Sequence, residues 1–307
     1  MSVIEKIGGV TINDKFYSGK DIYRDGAVAE KLMVIARDND PSTYEAILTG
    51  KKDRDVVCHF SSQRKNIISF VQIRPEEEVL EIGSGYGALS GYLADRAKEL
   101  VCIEASRQRA LVSAYRHRVK ENITIFPANP MDVLEKTERV FDLVIIPGTL
   151  AYAKAYTRQS DAAQNFLNTA LKHVKPGGRL ILIEDNRTGL QSFAGKPEGH
   201  TGRIFDGIEG FPNVEKVCTF SKPALEDMIK KAGAASYKFY YPYPDRYFTT
   251  AVYSDERLPK RGELAGGFPD LFNERLVLFD EGRVYDTLID DGLFPVFSNS
   301  FLIEIAV

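Results

Sequence analysis

Between Glu78 and Glu104 the chain passes through a buried strand, a glycine-rich turn, a helix and a second buried strand, and this succession limits the fold more than any other stretch. Glu78-Val-Leu-Glu-Ile82 is a short apolar run, and Gly83-Ser-Gly85-Tyr-Gly87 follows at once. Glycines permit positive φ and a close approach to the backbone. The next helix carries Leu89, Leu93 and Ala97 on one face, and Leu100-Val-Cys-Ile-Glu104 is the next strand. The pattern then continues with a helix over Gln108 to Lys120 and strands over Asn122 to Pro127 and Phe141 to Ile146. A helix over Asp161 to Val174 is stopped by Lys175-Pro-Gly-Gly178, and Arg179 to Glu184 is a fifth strand. Apolar strands alternating with helices predict a parallel sheet covered on both faces.

The two ends of the chain read differently. Lys222 to Ala232 is a helix with proline in its first turn and Gly233 after it. Ser236 to Tyr243 and Tyr247 to Ser254 flank Pro242-Tyr-Pro-Asp245 and predict an antiparallel hairpin closing the sheet. The expected fold is therefore α/β, a doubly wound, mostly parallel seven-stranded sheet over residues 76–255. Residues 1–75 form an accessory or lid region, with a small hairpin near Val10 to Tyr17 and helices over Asp25 to Ala36, Ser42 to Leu48 and Ser62 to Phe70. Residues 256–307 form an extension packed on the core, opening with Leu258-Pro-Lys-Arg-Gly and ending in two amphipathic pieces, Leu271 to Phe279 and Phe301 to Ile305.

With 307 residues, 44% apolar and 27% charged, the chain has the composition of an ordinary globular protein and can bury a core without disulfides. A net charge of −3 speaks against a general nucleic-acid binder, though not against a local basic pocket. Cys58, Cys102 and Cys218 are widely spaced, and no CxxC or Cys/His cluster occurs, so no metal is expected. Free thiols fit a reducing cytoplasm. Met1 to Asp14 is too polar for a signal-peptide core. The most apolar stretch, Phe141 to Tyr156, contains Asp142, Pro147 and Lys154. It falls short of the roughly 20 residues that span a bilayer. A cytoplasmic protein without a membrane partner is expected.

Glu104 ends its strand where an acidic residue typically holds ribose hydroxyls. Gly83-x-Gly85-x-x-Ala88 formally satisfies the dinucleotide fingerprint, so a nicotinamide enzyme also fits. Three features favour another cofactor. Glu81 precedes the glycines as Glu-x-Gly-x-Gly-x-Gly, Lys175-Pro-Gly-Gly-Arg-Leu leads into the fifth strand, and the sheet ends in a helix and an antiparallel hairpin. Together they resemble the class I S-adenosylmethionine (SAM)-dependent methyltransferases over about Val79 to Ser254. That resemblance implies a Rossmann-like fold that binds SAM and releases S-adenosylhomocysteine. It implies that Glu81, Gly83 and Gly85 form the floor against the methionine part and ribose, and that Glu104 holds the ribose. Ala105 or Ser106 would flank the adenine, Asn129 or Asp132 would approach its amino group, and Pro147 with Gly148 would line the cleft near the sulfonium. Upstream, Ser61 and Arg64 are candidates for the cofactor's methionine carboxylate; a plain N-cap and a surface arginine are the simpler reading.

A long loop, Asn186 to Gly210, lies past the carboxyl end of the fifth strand, where ligands bind in such sheets. It offers Arg187, His200 and Arg203 as candidate catalytic or anchoring residues. An alcohol acceptor requires a general base or a metal. A carboxylate is already ionised at neutral pH and needs only cationic anchors. This loop, with Tyr240-Tyr-Pro-Tyr-Pro-Asp245 and Phe294-Pro-Val-Phe-Ser-Asn-Ser-Phe301, resembles bacterial methyltransferases often encoded beside glycosyltransferases. Within that group it is most similar to the lanthipeptide-biosynthesis enzymes that esterify a C-terminal carboxylate. The resemblance implies a ribosomally made peptide with a free C-terminal carboxylate as partner. A sugar or glycan hydroxyl, or a non-catalytic SAM-binding module, are the alternatives.

Overall fold

The strands expected in the middle of the chain all form. The computed structural model describes residues 3–23, 25–50, 53–264 and 275–307. It has two units, one of residues 1–149, 168–181 and 307, the other of residues 150–167 and 182–306.

The first unit contains the strands Ile4–Ile7 (β1), Val10–Asn13 (β2), Glu78–Ile82 (β3), Glu99–Glu104 (β4), Ile123–Pro127 (β5), Phe141–Pro147 (β6) and the beginning of Val174–Asp185 (β7). Their order is β1-β2-β5-β4-β3-β6-β7. β3 pairs in parallel with β4, Val79 opposite Leu100, and with β6, Val79 opposite Leu143. The chain winds outward from β3 in both directions, so the crevice at the carboxyl ends of β3 and β6 is the topological switch point, where such sheets bind ligands. Val79, Leu80, Ile82, Val101, Ile103, Leu143, Val144 and Ile145 are buried, as apolar strands covered on both faces must be.

The N-terminal residues belong to this unit's core. Ala29, Leu32, Ile35 and Ala36 of the helix Ala27–Asp38 cluster with Tyr44, Val56, Phe60, Tyr86 and Val112. An N-terminal hairpin forms, but not within Val10 to Tyr17 as expected: Ile4 pairs with Asn13, Asp14–Phe16 is a 3₁₀ helix, and β2 adds in parallel to β5 with Ile12 opposite Ile125. Residues Ser62–Ile68 form a 3₁₀ helix. Lys175-Pro-Gly-Gly178 is not a breaker. Gly177 N donates to Val307 O (3.2 Å) and Val307 N to Gly178 O (3.4 Å), so the last residue of the chain supplies the bonds that keep these turn-prone residues in β7.

The second unit contains the end of β7, Ser236–Tyr243 (β8), Ala251–Ser254 (β9) and Ser300–Ala306 (β10), in the order β7-β10-β8-β9. The closing hairpin is antiparallel as expected, Tyr241 opposite Tyr253. β10 is a correction: the segment read as an amphipathic end of the extension is a strand antiparallel to β8, Leu302 opposite Tyr240. Phe301, Leu302, Ile303 and Ile305 are all buried, and Phe301 meets Phe239 edge-on at 5.5 Å. The described residues thus hold ten strands: the seven expected over residues 76–255, the two of the N-terminal hairpin, and β10. Of the other amphipathic piece, residues 271–274 lie outside the described residues, and 275–279 form no helix or strand. Among the described residues no helix is long and apolar enough to cross a membrane.

Candidate active site

The three glycines of the first unit's loop all have positive φ, 87° at Gly83, 56° at Gly85 and 76° at Gly87, but for different reasons. A Cβ on Gly83 would lie 1.7 Å from Thr149 Oγ1, whose hydroxyl donates to Ile82 O (2.8 Å). A Cβ on Gly87 would lie 2.4 Å from Ser113 Oγ and 2.7 Å from His117 Nε2. At Gly85 an added Cβ meets nothing within 4 Å. Gly85 alone therefore leaves open surface under a backbone that only glycine adopts cheaply, the cradle a cofactor needs.

Glu104 stands beside that cradle. Its buried carboxylate accepts from Gly85 N (2.7 Å), Ser106 N (3.0 Å) and Tyr23 Oη (3.1 Å), and burial pushes its pKa upward. Glu81 faces inward, accepting from Ser90 Oγ, and burial pushes it up to about 7. Its other oxygen, Oε1, is buried without a hydrogen-bond partner. An open cradle, a buried carboxylate bonded to the loop and an unmatched buried acceptor fit a cofactor with a ribose diol. Glu104→Ala is expected to weaken S-adenosylhomocysteine binding by about 1.5–3 kcal/mol, measured by calorimetry, through loss of a charge-assisted hydrogen bond.

Ala105 is buried and its carbonyl accepts from Ile22 N (3.2 Å); Ser106 caps the helix Arg107–Arg116. Pro147 ends β6, followed by Gly148 at φ 79°. Asn129 caps the short helix Pro130–Leu134, its side chain accepting from Met131 N (3.0 Å). Asp132 lies 3.4 Å from Lys136 Nζ on a part-exposed face. Ser61 is an N-cap, as the simpler reading had it, accepting from Gln63 N (3.2 Å). Arg64 is not the surface arginine of that reading: it is buried and donates to Cys58 O. Sequence reasoning missed Arg116, buried and donating to His59 O (2.6 Å) and Tyr86 O (3.3 Å), with burial pulling its pKa down to about 10. It also missed Tyr23, Asp25 and Arg109. Arg109 pairs with Asp25, and its guanidinium lies 4.3 Å over the Tyr23 ring. None of these carries a motif; they are brought in by N-terminal packing.

In the second unit, β7 ends on Asp185, whose Oδ1 lies 2.9 Å from Nε of the buried Arg246. Burial alone would raise the Asp185 pKa, but the charge and hydrogen bond of Arg246 outweigh it and hold the carboxyl below its ordinary value. The His200 side chain is buried, with Nδ1 2.8 Å from Tyr152 Oη and Nε2 4.0 Å from Glu198 Oε1. Burial lowers its pKa against the opposing charges of Glu198 and Asp185.

The structure does not join Arg187, His200 and Arg203 into one anchor. Arg187 donates to Thr219 O (2.8 Å) and Cys218 Sγ (2.8 Å), holding loop backbone. Arg203 has a side chain 51% exposed and pairs with Asp206 at 2.9 Å. Asp185, Arg246 and Tyr152 are the polar residues that sequence reasoning overlooked. The position of Asp185 at a strand's carboxyl end was the available signal. Among the described residues no group of three His, Cys, Asp or Glu side chains is placed to hold a metal.

The profile of the Methyltransferase small domain family matches residues 64–197, the stretch that contains the glycine loop and Glu104. The chain is 33% identical over 67 residues to Ribosomal RNA small subunit methyltransferase A of Fusobacterium nucleatum. That match covers 22% of this chain and 25% of that protein, so the chain spans about a quarter of the length of the curated relative it matches. Three solved structures are similar at low identity. A SAM-dependent methyltransferase of Thermotoga maritima, described as a possible histamine N-methyltransferase, is 14% identical with a TM-score of 0.48, covering 86% of this chain and 98% of that one. A cyclopropane-fatty-acyl-phospholipid synthase-like protein of Lactobacillus casei is 16% identical with a TM-score of 0.49, covering 87% and 100%. An O-methyltransferase family protein of Burkholderia thailandensis is 17% identical with a TM-score of 0.46, covering 64% and 56%. The stretch that matches the family model is the one that holds the open cradle at Gly85 and the buried carboxylate of Glu104.

Proposed function

We propose that the chain is a SAM-dependent O-methyltransferase whose acceptor is a hydroxyl of a glycan or small molecule, with His200 as general base. The observation that carries this reading is the state of His200. A buried imidazole with a lowered pKa is neutral at neutral pH, and a neutral ring can accept a proton. In the tautomer whose Nδ1–H donates to Tyr152 Oη, Nε2 holds the lone pair. Asp185 and Glu198 then stabilise the imidazolium that forms, while Arg246 keeps Asp185 ionised.

When bound, the cofactor supplies a methyl group made electrophilic by its sulfonium sulfur. The chain's own residues do the rest. In the first unit Gly85 would leave room for close approach and Glu104 would accept from ribose hydroxyls, and in the second unit His200 would take the proton that an acceptor hydroxyl loses.

The second reading, esterification of the C-terminal carboxylate of a lanthipeptide-type peptide, is favoured by Arg187. After its two hydrogen bonds, Nη1 has no partner among the described residues and offers two charged N–H donors. Arg187 and Arg203 would then be anchors and His200 dispensable. Mass spectrometry after incubation with SAM and the products of neighbouring genes tests both readings. The expected methyl mark survives mild alkali, because ethers do not hydrolyse. An alkali-labile mark on a peptide C-terminus would replace the hydroxyl reading with the ester.

A further inference from the structure

The Glu104 carboxylate has too few open acceptor positions for a ribose. Oε1 accepts from Tyr23 Oη (3.1 Å) and Ser106 N (3.0 Å), and Oε2 accepts from Gly85 N (2.7 Å). A carboxylate offers about four lone-pair positions, which leaves about one. A ribose diol brings two hydroxyl donors. Gly85 N and Ser106 N are main-chain donors fixed by the glycine loop and the start of the helix Arg107–Arg116. Tyr23 is the one donor of the three on a side chain, and it reaches Glu104 from a segment without helix or strand.

That segment is held at a few points. Asp21 accepts from Arg107 N (2.9 Å) and Ser106 Oγ (3.0 Å), across the first turn of the helix. Ile22 N donates to Ala105 O (3.2 Å), and the Arg109 guanidinium lies 4.3 Å over the Tyr23 ring. All of these partners are residues just after β4, the part of the site expected to face ribose and adenine.

We infer that Asp21–Tyr23 is a latch: Tyr23 stands in at Glu104 for a ribose hydroxyl, so the cofactor enters only as the strap lets go. The inference rests on the cofactor reading of the glycine loop. Occupancy of the site and release of the strap are then one equilibrium, and a wild-type chain binds its cofactor more weakly than its pocket allows.

Calorimetry with S-adenosylhomocysteine on the full chain and on Tyr23→Phe, beside hydrogen exchange of the wild-type segment 17–23, tests this. Phenylalanine keeps the ring over Arg109 but removes the competing donor. Tyr23→Phe is expected to bind about fivefold more tightly, the worth of one hydrogen bond. In the wild type, S-adenosylhomocysteine is expected to speed exchange at the Ile22 amide, a readout that stands even if the variant folds poorly. Equal or weaker binding by Tyr23→Phe, or added protection of Ile22, would overturn the latch and make Tyr23 a wall of the pocket. Absence of binding to the wild-type chain would instead defeat the cofactor reading itself.

Discussion

Gly85→Val is expected to abolish cofactor binding in a chain that still folds. Two effects combine at this position. Gly85 has φ 56°, and a β-branched residue there costs about 1–2 kcal/mol of stability. The side chain also meets nothing of the protein within 4 Å, so the fold can accept it sterically. The space it enters is the space a cofactor requires. Calorimetry should show S-adenosylhomocysteine affinity falling at least about 100-fold, equivalent to about 2.7 kcal/mol. Thermal unfolding should show one cooperative transition a few degrees lower. Wild-type affinity in a folded Gly85→Val chain would remove the glycine loop as the cofactor site.

His200→Ala is expected to lower kcat by about 10² to 10⁴, the usual worth of a positioned base, while SAM affinity stays unchanged. The pH profile adds a test of role. A base works in its neutral form, and burial places the His200 pKa below its ordinary value of about 6.5. Activity should therefore fall only on the acid side of that value and stay level from about pH 7 to 9. In His200→Ala the residual rate should lose this acid limb. A variant with near wild-type turnover would favour the carboxylate acceptor, which needs no base, and would shift attention to Arg187.

How far the molecule was legible from its sequence depended on how local the signal was. β3 to β6 and the glycine loop announce themselves because buried parallel strands are continuous apolar runs and glycine marks a turn. β10 is just as apolar, but its place between β7 and β8 is a long-range choice that no local period encodes. Lys175-Pro-Gly-Gly178 read as a stop because its residues favour turns, and pairing that includes Val307, far along the chain, overrides them. At the candidate site, Glu104 was found because it closes a strand after a recognisable loop. Tyr23 and Arg246 reach their carboxylates from irregular segments far along the chain, so neither could be identified before the chain is folded.

The interlock of Gly83 with Thr149, and the wedging of His117 under Gly87, change what a glycine signature means in descent. Two of its three glycines answer to neighbouring side chains of the same unit, and only Gly85 answers to the empty space. A sister chain that had given up its cofactor would still be held by selection to glycine at 83 and 87, because the sheet would not close around anything larger. Drift at 85 would meet no clash, only the strain of its positive φ. The familiar pattern therefore records mostly the history of a fold, and a single position within it records whether that fold is still in use.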